Sequence, residues 1–365
     1  MRTALKIAAV LTLILATASA PAVARGGSPG LIGPSFQTIG PLAFGPNGVL
    51  YAADRQAATI FALDLGAQAA SSAPGTQDVA NIDQKVAALF GTAAREITIT
   101  DLVVHPETGN SYLSVMRGQG AGAAAALVRV DGNGNLTPIA LDTVTFTSVA
   151  LPNPANVSNS GRGGRADSIT DMAYMNGRLF VAGLSNEEFA SKFWTVPYPF
   201  QSADQGTSVE IFHGNHGQFE TRSPVYAFVP TEVDGEPSLI AGYLCTPLVK
   251  FPVSDLRPGA KILGKTIAEL GNRNRPIDMI LYRKDGREFL LMSNTSRGVM
   301  KIDTSHFDGA SAISAPVPEE KAGVPYETIT SLTGVEQLDL LNATHTIVLT
   351  RSDSGALNLT AVVLP

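Results

Sequence analysis

Short runs of alternating apolar and polar residues recur along the chain, and many of them are paired across residues that favour tight turns. The clearest pair spans residues 170–183, where Asn176 and Gly177 separate two alternating segments. An Asn-Gly pair in this position is typical of a two-residue β-hairpin turn. The pattern therefore predicts that the β-hairpin is the basic structural unit of the chain.

The hairpin pattern repeats at intervals of roughly 50 to 70 residues, which is close to the length of a β-propeller blade. Further copies occupy residues 40–54, 100–115, 224–242, 275–294 and 334–350. Because a single hairpin cannot bury both of its faces, the copies are expected to pack around a ring. We predict an all-β fold with a single β-propeller of six blades. A seventh blade, within residues 66–98 or 136–165, is the alternative.

Three other segments are interpreted from their own patterns. Residues 82–90 have the apolar spacing of a helix. Residues 185–201 are rich in aromatic side chains and are interpreted as a loop insertion that carries Trp194, the one tryptophan of the chain. The alternating segment 356–364 predicts a terminal strand, which we expect to pair near residues 34–39 and to close the ring.

Composition supports a turn-rich β-protein and excludes some partners. Charged residues make up only 16% of the 365 residues, whereas the chain has 35 glycines and 23 prolines. The net charge is −6 and lysine and arginine form no cluster. We therefore expect no binding to nucleic acid or to an anionic membrane surface. The expected partner is a small-molecule substrate, and the expected state is a monomer.

The first 24 residues have the pattern of a secretory signal peptide. Arg2 and Lys6 precede an apolar stretch at residues 7–16, and small residues at 22–24 suit cleavage after Ala24. The apolar stretch is too short for a membrane-spanning helix, so no membrane insertion is expected. We predict a secreted or periplasmic protein whose propeller domain occupies residues 25–365. Cys245 is the single cysteine, which excludes an internal disulfide.

The candidate metal ligands lie in the stretch His213-Gly-Asn-His216-Gly. Two imidazoles on a glycine-rich loop can turn towards one metal ion, because glycine permits the tight backbone that this arrangement requires. Propeller topology places this loop and the turn that contains Cys245 on the same face of the ring. His105 is a weaker candidate for a third ligand, because it lies at the opposite end of its strand.

The chain resembles secreted propellers of the NHL, YVTN and quinoprotein-like kind in its repeated hairpins. It is also similar in ingredients to galactose oxidase, whose copper is held by His and Tyr beside a Cys joined to an aromatic ring, although no motif of that enzyme is present. The resemblance implies a mononuclear copper oxidoreductase. His213 and His216 would be ligands, a Cys245–Trp194 thioether would be a redox cofactor, and Tyr243 would lie nearby.

Two alternatives use other residues or none. Asp101, Asp171 and Asp278 occupy like positions in three hairpins. They either bind calcium in the channel, as in lactonase or hydrolase propellers, or accept backbone hydrogen bonds that join neighbouring blades. Arg275 and Arg297 either hold an anionic substrate or pair with these aspartates. Glu220 is interpreted as a solvated loop charge. The other alternative is a non-catalytic binding propeller.

Overall fold

The computed structural model describes residues 25–26, 33–66, 77–156, 164–245, 247–317 and 320–365. The predicted signal peptide, residues 1–24, lies outside the described residues, so export stays a prediction. Most of the described backbone forms short antiparallel strands. The one α-helix within these ranges, α1 (Ile82–Leu89), lies where the apolar spacing predicts it. Among the described residues, no helix has the length and hydropathy to cross a bilayer.

The first strands of the chain are β1 (Arg25–Gly26), β2 (Leu42–Phe44), β3 (Leu50–Asp54), β4 (Thr59–Asp64), β5 (Ile97–Val104), β6 (Ser111–Arg117), β7 (Ala124–Val130), β8 (Leu136–Pro138) and β9 (Thr145–Ala150). The next are β10 (Asp171–Met175), β11 (Arg178–Leu184), β12 (Ser191–Pro197), β13 (Thr207–His213), β14 (Gln218–Glu220), β15 (Val225–Val233), β16 (Glu236–Tyr243), β17 (Pro247–Pro252), β18 (Lys261–Leu263) and β19 (Lys265–Leu270). The last are β20 (Pro276–Lys284), β21 (Arg287–Asn294), β22 (Gly298–Asp303), β23 (Lys321–Gly323), β24 (Glu327–Ile329), β25 (Val335–Leu340), β26 (His345–Arg351) and β27 (Leu357–Val363). Short 3₁₀ turns occur at Pro46–Gly48, Ala94–Glu96, Gly120–Gly122, Arg165–Asp167, Val253–Asp255 and Thr304–His306.

These strands form six sheets around a central channel, which confirms the six-bladed β-propeller. Blade 1 contains β1, β9, β4, β3 and β2 from the outer edge inwards, and blade 2 contains β5 to β8. Blade 3 contains β10 to β14 with β18, and blade 4 contains β15, β16, β17, β19 and β23. Blade 5 contains β20, β21, β22 and β24, and blade 6 contains β25 to β27. The expected alternative of a seventh blade is wrong, because β8 and β9 are outer strands of blades 2 and 1.

The order of blades around the ring differs from their order in the chain. The innermost strand of blade 1 contacts those of blades 2 and 3, and blade 6 contacts blade 2. The ring order is therefore 2, 1, 3, 4, 5, 6. The chain leaves blade 1 after β4, builds all of blade 2, and then returns to add β9 beside β4. Blade 2 is thus inserted between the third and fourth strands of blade 1.

The ring closes differently from the sequence-based expectation. The terminal strand β27 exists, but it pairs with β26 of its own blade, and residues 33–40 form no strand. Closure instead joins blade 6 to the segment that precedes blade 2. Val79 and Leu359 exchange backbone hydrogen bonds of 2.8 and 3.0 Å, and α1 packs beside β27. Apolar side chains of α1, blade 2 and blade 6 share one core cluster, so apolar burial seals this junction.

The hairpin turns account for the regular geometry of the blades. Asn176 and Gly177 have φ values of 51° and 81°, as a type I′ turn requires. Asp234-Gly235 and Asp285-Gly286 form equivalent turns with positive φ at both residues. The twist of these turns matches the twist of the flanking strands. The predicted hairpin is present in each of the six blades, so these predictions are confirmed.

Candidate metal centre

The histidine-rich stretch forms a tight turn at the end of a blade-3 strand. His213 is the last residue of β13, and the turn leads directly into β14. The His213 carbonyl oxygen accepts hydrogen bonds from the backbone nitrogens of His216 (3.1 Å) and Gly217 (2.8 Å). Gly217 has a φ of 64°, which a glycine adopts without strain. The turn brings the two imidazole rings to a centroid separation of 3.8 Å.

The Glu220 carboxylate forms hydrogen bonds with both imidazoles. The β13–β14 register pairs His213 with Gln218 and Ile211 with Glu220, so alternation puts Glu220 and His213 on one face. Its Oε1 atom lies 3.1 Å from His213 Nδ1 and 2.6 Å from His216 Nδ1. Burial alone would raise the pKa of Glu220, but hydrogen bonds from both histidines and from Ser223 lower it to about 2. An ionised Glu220 therefore draws protons to both Nδ1 atoms and leaves each Nε2 lone pair available.

Cys245 joins this pair from the neighbouring blade. It lies in the turn between β16 and β17 of blade 4, where its backbone nitrogen donates to the Asn274 carbonyl over 2.7 Å. Its φ of 62° is a left-handed conformation that costs a non-glycine residue free energy. One ring nitrogen of each histidine and the Cys245 sulfur lie within 4.8 Å of one another. The structure thus brings together three of the predicted site residues from two blades.

The donor set fits a transition metal. His213 is 1% exposed, and its Nε2 atom has no hydrogen-bond partner in the part of the chain that the structure describes. Metal bonds of about 2.0–2.3 Å separate neighbouring ligand atoms by roughly 3.3–3.8 Å, so the three donors need to close only slightly. His216 can make this adjustment, because its side chain is 46% exposed on a glycine-flanked turn. Two imidazoles with one thiolate suit copper or zinc.

A second carboxylate lies behind His213. Glu269, at the end of the blade-4 strand β19, is fully buried, and its Oε2 atom lies 3.9 Å from His213 Nε2. Its oxygens accept hydrogen bonds from the Gly214 backbone nitrogen (2.6 Å) and from Asn215 Nδ2 (3.0 Å). Burial raises the pKa of Glu269, while the nearby His213 ring and the hydrogen bonds from the Gly214–Asn215 backbone oppose that rise. Glu269 therefore anchors the histidine turn to blade 4 and adds an oxygen beside the unpartnered nitrogen.

Tyr243 lies next to this cluster without belonging to it. It ends strand β16, two residues before Cys245, and is 1% exposed. Burial raises the pKa of Tyr243; the Ser191 side chain opposes this shift and the Glu220 charge adds to it. A neutral phenol near Glu220 can shield the inner side of the site from water.

Trp194 lies elsewhere, and the loop interpretation of residues 185–201 is wrong. The aromatic segment contains β12, the third strand of blade 3, where Trp194 pairs with Val181. Phe193 faces blade 4 in the cluster that includes Tyr243, so alternation turns Trp194 towards blade 1. There it is 1% exposed and packs against Gly206 and the blade-1 core. The expected convergence of Trp194 with Cys245, and with it the thioether, is contradicted by this placement.

His105 is also absent from the cluster. It follows β5 in blade 2, where its Nδ1 atom accepts hydrogen bonds from the backbone nitrogens of Glu107 (3.2 Å) and Thr108 (3.3 Å). Burial lowers the pKa of His105, and its ring packs 4.7 Å from Phe44. The residue closes a hairpin turn, so the prediction of a third histidine ligand is wrong.

The channel aspartates join neighbouring blades. The Oδ2 atoms of Asp101, Asp171 and Asp278 accept hydrogen bonds from the backbone nitrogens of Leu42 (2.6 Å), Phe228 (2.7 Å) and Leu338 (2.9 Å) in the adjacent blades. In each case Oδ1 accepts from the residue that follows the aspartate. Asp339, which the sequence analysis missed, binds Val104 of blade 2 in the same way (2.6 Å). These carboxylates therefore join neighbouring blades, as the second of the two interpretations expects.

The aspartates of this channel do not form the group of ligands that the calcium alternative requires. Among the described residues, the one group of three or more His, Cys, Asp or Glu side chains with closely spaced donor atoms is His213, His216 and Cys245. The aspartate oxygens are instead directed at backbone donors. The solvated interpretation of Glu220 is likewise wrong, since its side chain is 13% exposed. The spacing of Glu220, four residues after His216 in a glycine-turn hairpin, was the available signal.

No family model matches the chain, and no curated protein matches its sequence. Solved structures with similar folds include an aldose sugar dehydrogenase from Streptomyces coelicolor in its PQQ-bound form, at 12% identity and a TM-score of 0.33 over 94% of this chain and 100% of that one. A Trichoderma reesei carbohydrate-active enzyme of family AA12 has 10% identity and a TM-score of 0.33 over 97% and 100% of the two chains. A mitotic checkpoint complex chain has 9% identity and a TM-score of 0.37 over 98% and 99%. A dehydrogenase is thus among these structures, but the likeness extends only to the fold.

Proposed function

We propose that the chain is an exported redox protein that binds one copper ion through His213, His216 and Cys245. The supporting observation is the convergence of these three side chains, with an unpartnered Nε2 atom on buried His213. Two imidazoles and one thiolate are the ligand set of copper electron-transfer sites. The predicted signal peptide agrees with this proposal, because an exported protein meets copper outside the cytoplasm.

The residues around the three ligands would set the properties of the ion. Glu220 would keep the proton of both imidazoles on Nδ1 and orient their Nε2 atoms, as carboxylates behind metal-binding histidines do. Buried Tyr243 and His213 would exclude water from the inner side, and exposed His216 would form the outer wall. Bound copper would supply one-electron transfer. In the oxidoreductase activity that we propose, electrons would pass between the copper ion and a small-molecule substrate.

A structural zinc site is the second candidate function. One observation favours it: the ligands come from a blade-3 turn and a blade-4 turn, so an ion here would join two blades. Zinc accepts the same ligands but has no redox chemistry. The propeller would then be the non-catalytic binding protein that the sequence left open.

Metal analysis and spectroscopy of the purified protein separate these candidates. We expect one copper per chain, an electron paramagnetic resonance signal, and a visible thiolate-to-copper absorption band. Cys245→Ser should abolish the band, and His216→Ala should weaken copper binding about tenfold or more. His306→Ala is the matched control, since His306 is exposed and lies outside the cluster. Stoichiometric zinc with no copper binding would support the structural role, and calcium or no stoichiometric metal would contradict both candidates.

A further inference from the structure

The mouth of the central channel contains two arginines that face one small cavity. The cavity is about 140 Å³ and its lining includes Arg55 of blade 1, Arg275 at the entry to blade 5, and Thr170 at the entry to blade 3. Arg275 is close enough to Arg55 that its charge contributes to the lowering of the Arg55 pKa, after burial as the main cause. Like charges brought together are costly, and a bound anion would relieve that cost.

Arg55 is fixed by a hydrogen bond and an ion pair, whereas the exposed Arg275 lies beside an aromatic ring. Arg55 Nε donates to the Ala166 carbonyl over 2.7 Å, and one terminal nitrogen lies 3.7 Å from Asp167 Oδ1. Burial lowers the pKa of Arg55, with Asp167 opposing the shift. The Arg275 guanidinium lies 5.1 Å from the centre of the Tyr226 ring. Arg297, in contrast, is paired with Glu320 at 3.1 Å, whereas no described carboxylate pairs with Arg275.

The carboxyl groups that line the cavity already accept hydrogen bonds from the backbone. The oxygens of Asp101, Asp171 and Asp278 are directed at backbone nitrogens of the blades. Burial raises the pKa of each of these carboxyls, to about 7 for Asp171, so their charge near neutral pH is reduced. The Thr170 hydroxyl is buried and has no hydrogen-bond partner within the described residues. It is a donor without an acceptor at the edge of the cavity.

A larger groove continues from this cavity between blades 5 and 6. The groove has a volume of about 780 Å³ and shares Arg275, Ile277 and Gln337 with the channel mouth. Its lining combines apolar Ile99 and Val335 with polar side chains from the loops that follow β21 and precede β25. A small inorganic anion would fill only the mouth, whereas an organic molecule would extend from the arginines along this groove.

We infer that the channel mouth and the groove bind a small organic carboxylate, with its charged end between Arg55 and Arg275. Guanidinium groups pair with carboxylates through parallel hydrogen bonds, and Thr170 would donate a further one. This site does not require a metal. It is linked to the metal cluster by one contact, since the Cys245 nitrogen donates to the carbonyl of Asn274, the residue before Arg275.

Calorimetric titration of metal-free protein with glutarate tests this inference. We expect saturable binding that weakens about tenfold or more in Arg275→Gln, because a charge-assisted hydrogen-bond pair is lost. Thr170→Val keeps the shape of the side chain and should weaken binding several-fold. Arg273→Gln is the matched control, because Arg273 is exposed, has the same charge, and does not line the cavity. Thermal unfolding of each variant verifies that it is folded.

Four outcomes would overturn the inference. The first is an absence of glutarate binding to the wild-type protein at millimolar concentration, and the second is equal affinity in Arg275→Gln. An equal loss in Arg273→Gln would show that net charge alone attracts the ligand. Phosphate binding as tight as that of glutarate would show that the groove contributes nothing. Since no metal is present in this titration, failure of the copper proposal would leave its result unaffected.

Discussion

Glu220 Oε1 and His216 Nδ1 lie 2.6 Å apart within one short hairpin, and the same oxygen also reaches His213. One carboxylate therefore orients two imidazoles at once. The arrangement depends on the β13–β14 register and on the glycine turn between the histidines, both of which are local features of the chain. The Cys245 sulfur comes from a different blade, so the complete cluster exists only where blades 3 and 4 pack together.

The first prediction concerns Glu220→Gln. The neutral amide no longer draws the protons to Nδ1 with a full charge, so the Nε2 atoms are less well oriented and less basic. We expect copper affinity to fall about 10- to 100-fold while the protein stays folded. Competition titration with a chelator of known affinity measures this change. Glu188→Gln, which alters an exposed glutamate, should leave the affinity unchanged; equal affinity in both variants would contradict the role of Glu220.

The second prediction concerns the backbone of Cys245. Its φ of 62° is unfavourable for any residue with a Cβ atom, and such strain often occurs at functional sites. Cys245→Gly should therefore raise the unfolding free energy of the metal-free protein by about 0.5–1 kcal/mol and abolish tight copper binding. Urea unfolding measures the first effect. Cys245→Ala keeps the Cβ and should lose copper without gaining stability, and a gain in both variants would contradict the strain argument.

The third prediction separates Trp194 from the metal cluster. Because the indole fills the core between blades 1 and 3, Trp194→Phe should lower the unfolding free energy by about 1–3 kcal/mol. Copper affinity and the visible spectrum should stay unchanged. Peptide mass spectrometry of copper-loaded wild-type protein should give an unmodified Trp194 peptide and a freely alkylated Cys245. A Trp194 peptide linked to Cys245 would contradict the placement of the indole on the opposite face of blade 3.

The parts of the fold that sequence reasoning predicted are those set by local interactions. Asn176-Gly177 and the equivalent Asp-Gly pairs need positive φ at both residues, so they specify hairpins wherever they occur between alternating strands. The insertion of blade 2 into blade 1 has no such signal. It depends on β9 pairing with β4, about eighty residues earlier, and many strands of similar pattern compete for that pairing.

The site was predicted in part for a similar reason. The histidine turn is a local motif that can be recognised in the sequence. Cys245 was predicted beside it because the two turns lie on the same face of neighbouring blades. Trp194 was misplaced because an aromatic run suits a buried strand as well as a loop. In a strand, neighbouring side chains point to opposite faces, so Phe193 and Trp194 cover different sides of blade 3. Glu220 was overlooked because a charged residue near a turn is usually solvated, and only the three-dimensional hairpin reveals its burial.

The last prediction concerns the channel carboxylates. Burial raises the pKa of Asp171 to about 7 and that of Asp339 to about 6, against 3.8 for an unperturbed aspartate. In this pH range the folded protein holds protons that the unfolded chain has released. The contribution of these two carboxyls to the unfolding free energy therefore falls as the pH rises from about 4 towards 7. Glu220 has the opposite effect around and below its ordinary pKa of 4.5, which lies below the range from pH 5 to pH 8.

Urea unfolding of metal-free protein at pH 5 and pH 8 tests this sign. Asp171→Asn cannot ionise, so the loss of stability between the two pH values should be smaller than in the wild type by on the order of 1–2 kcal/mol, a value reduced because the channel admits water. The variant is less stable at both pH values, because the amide accepts fewer of the hydrogen bonds from Phe228 and Met172. Asp353→Asn, at an exposed position, is the control and should keep the wild-type difference. An unchanged difference in Asp171→Asn would mean that this carboxyl is ionised across the whole range and that the channel is more polar than its burial implies.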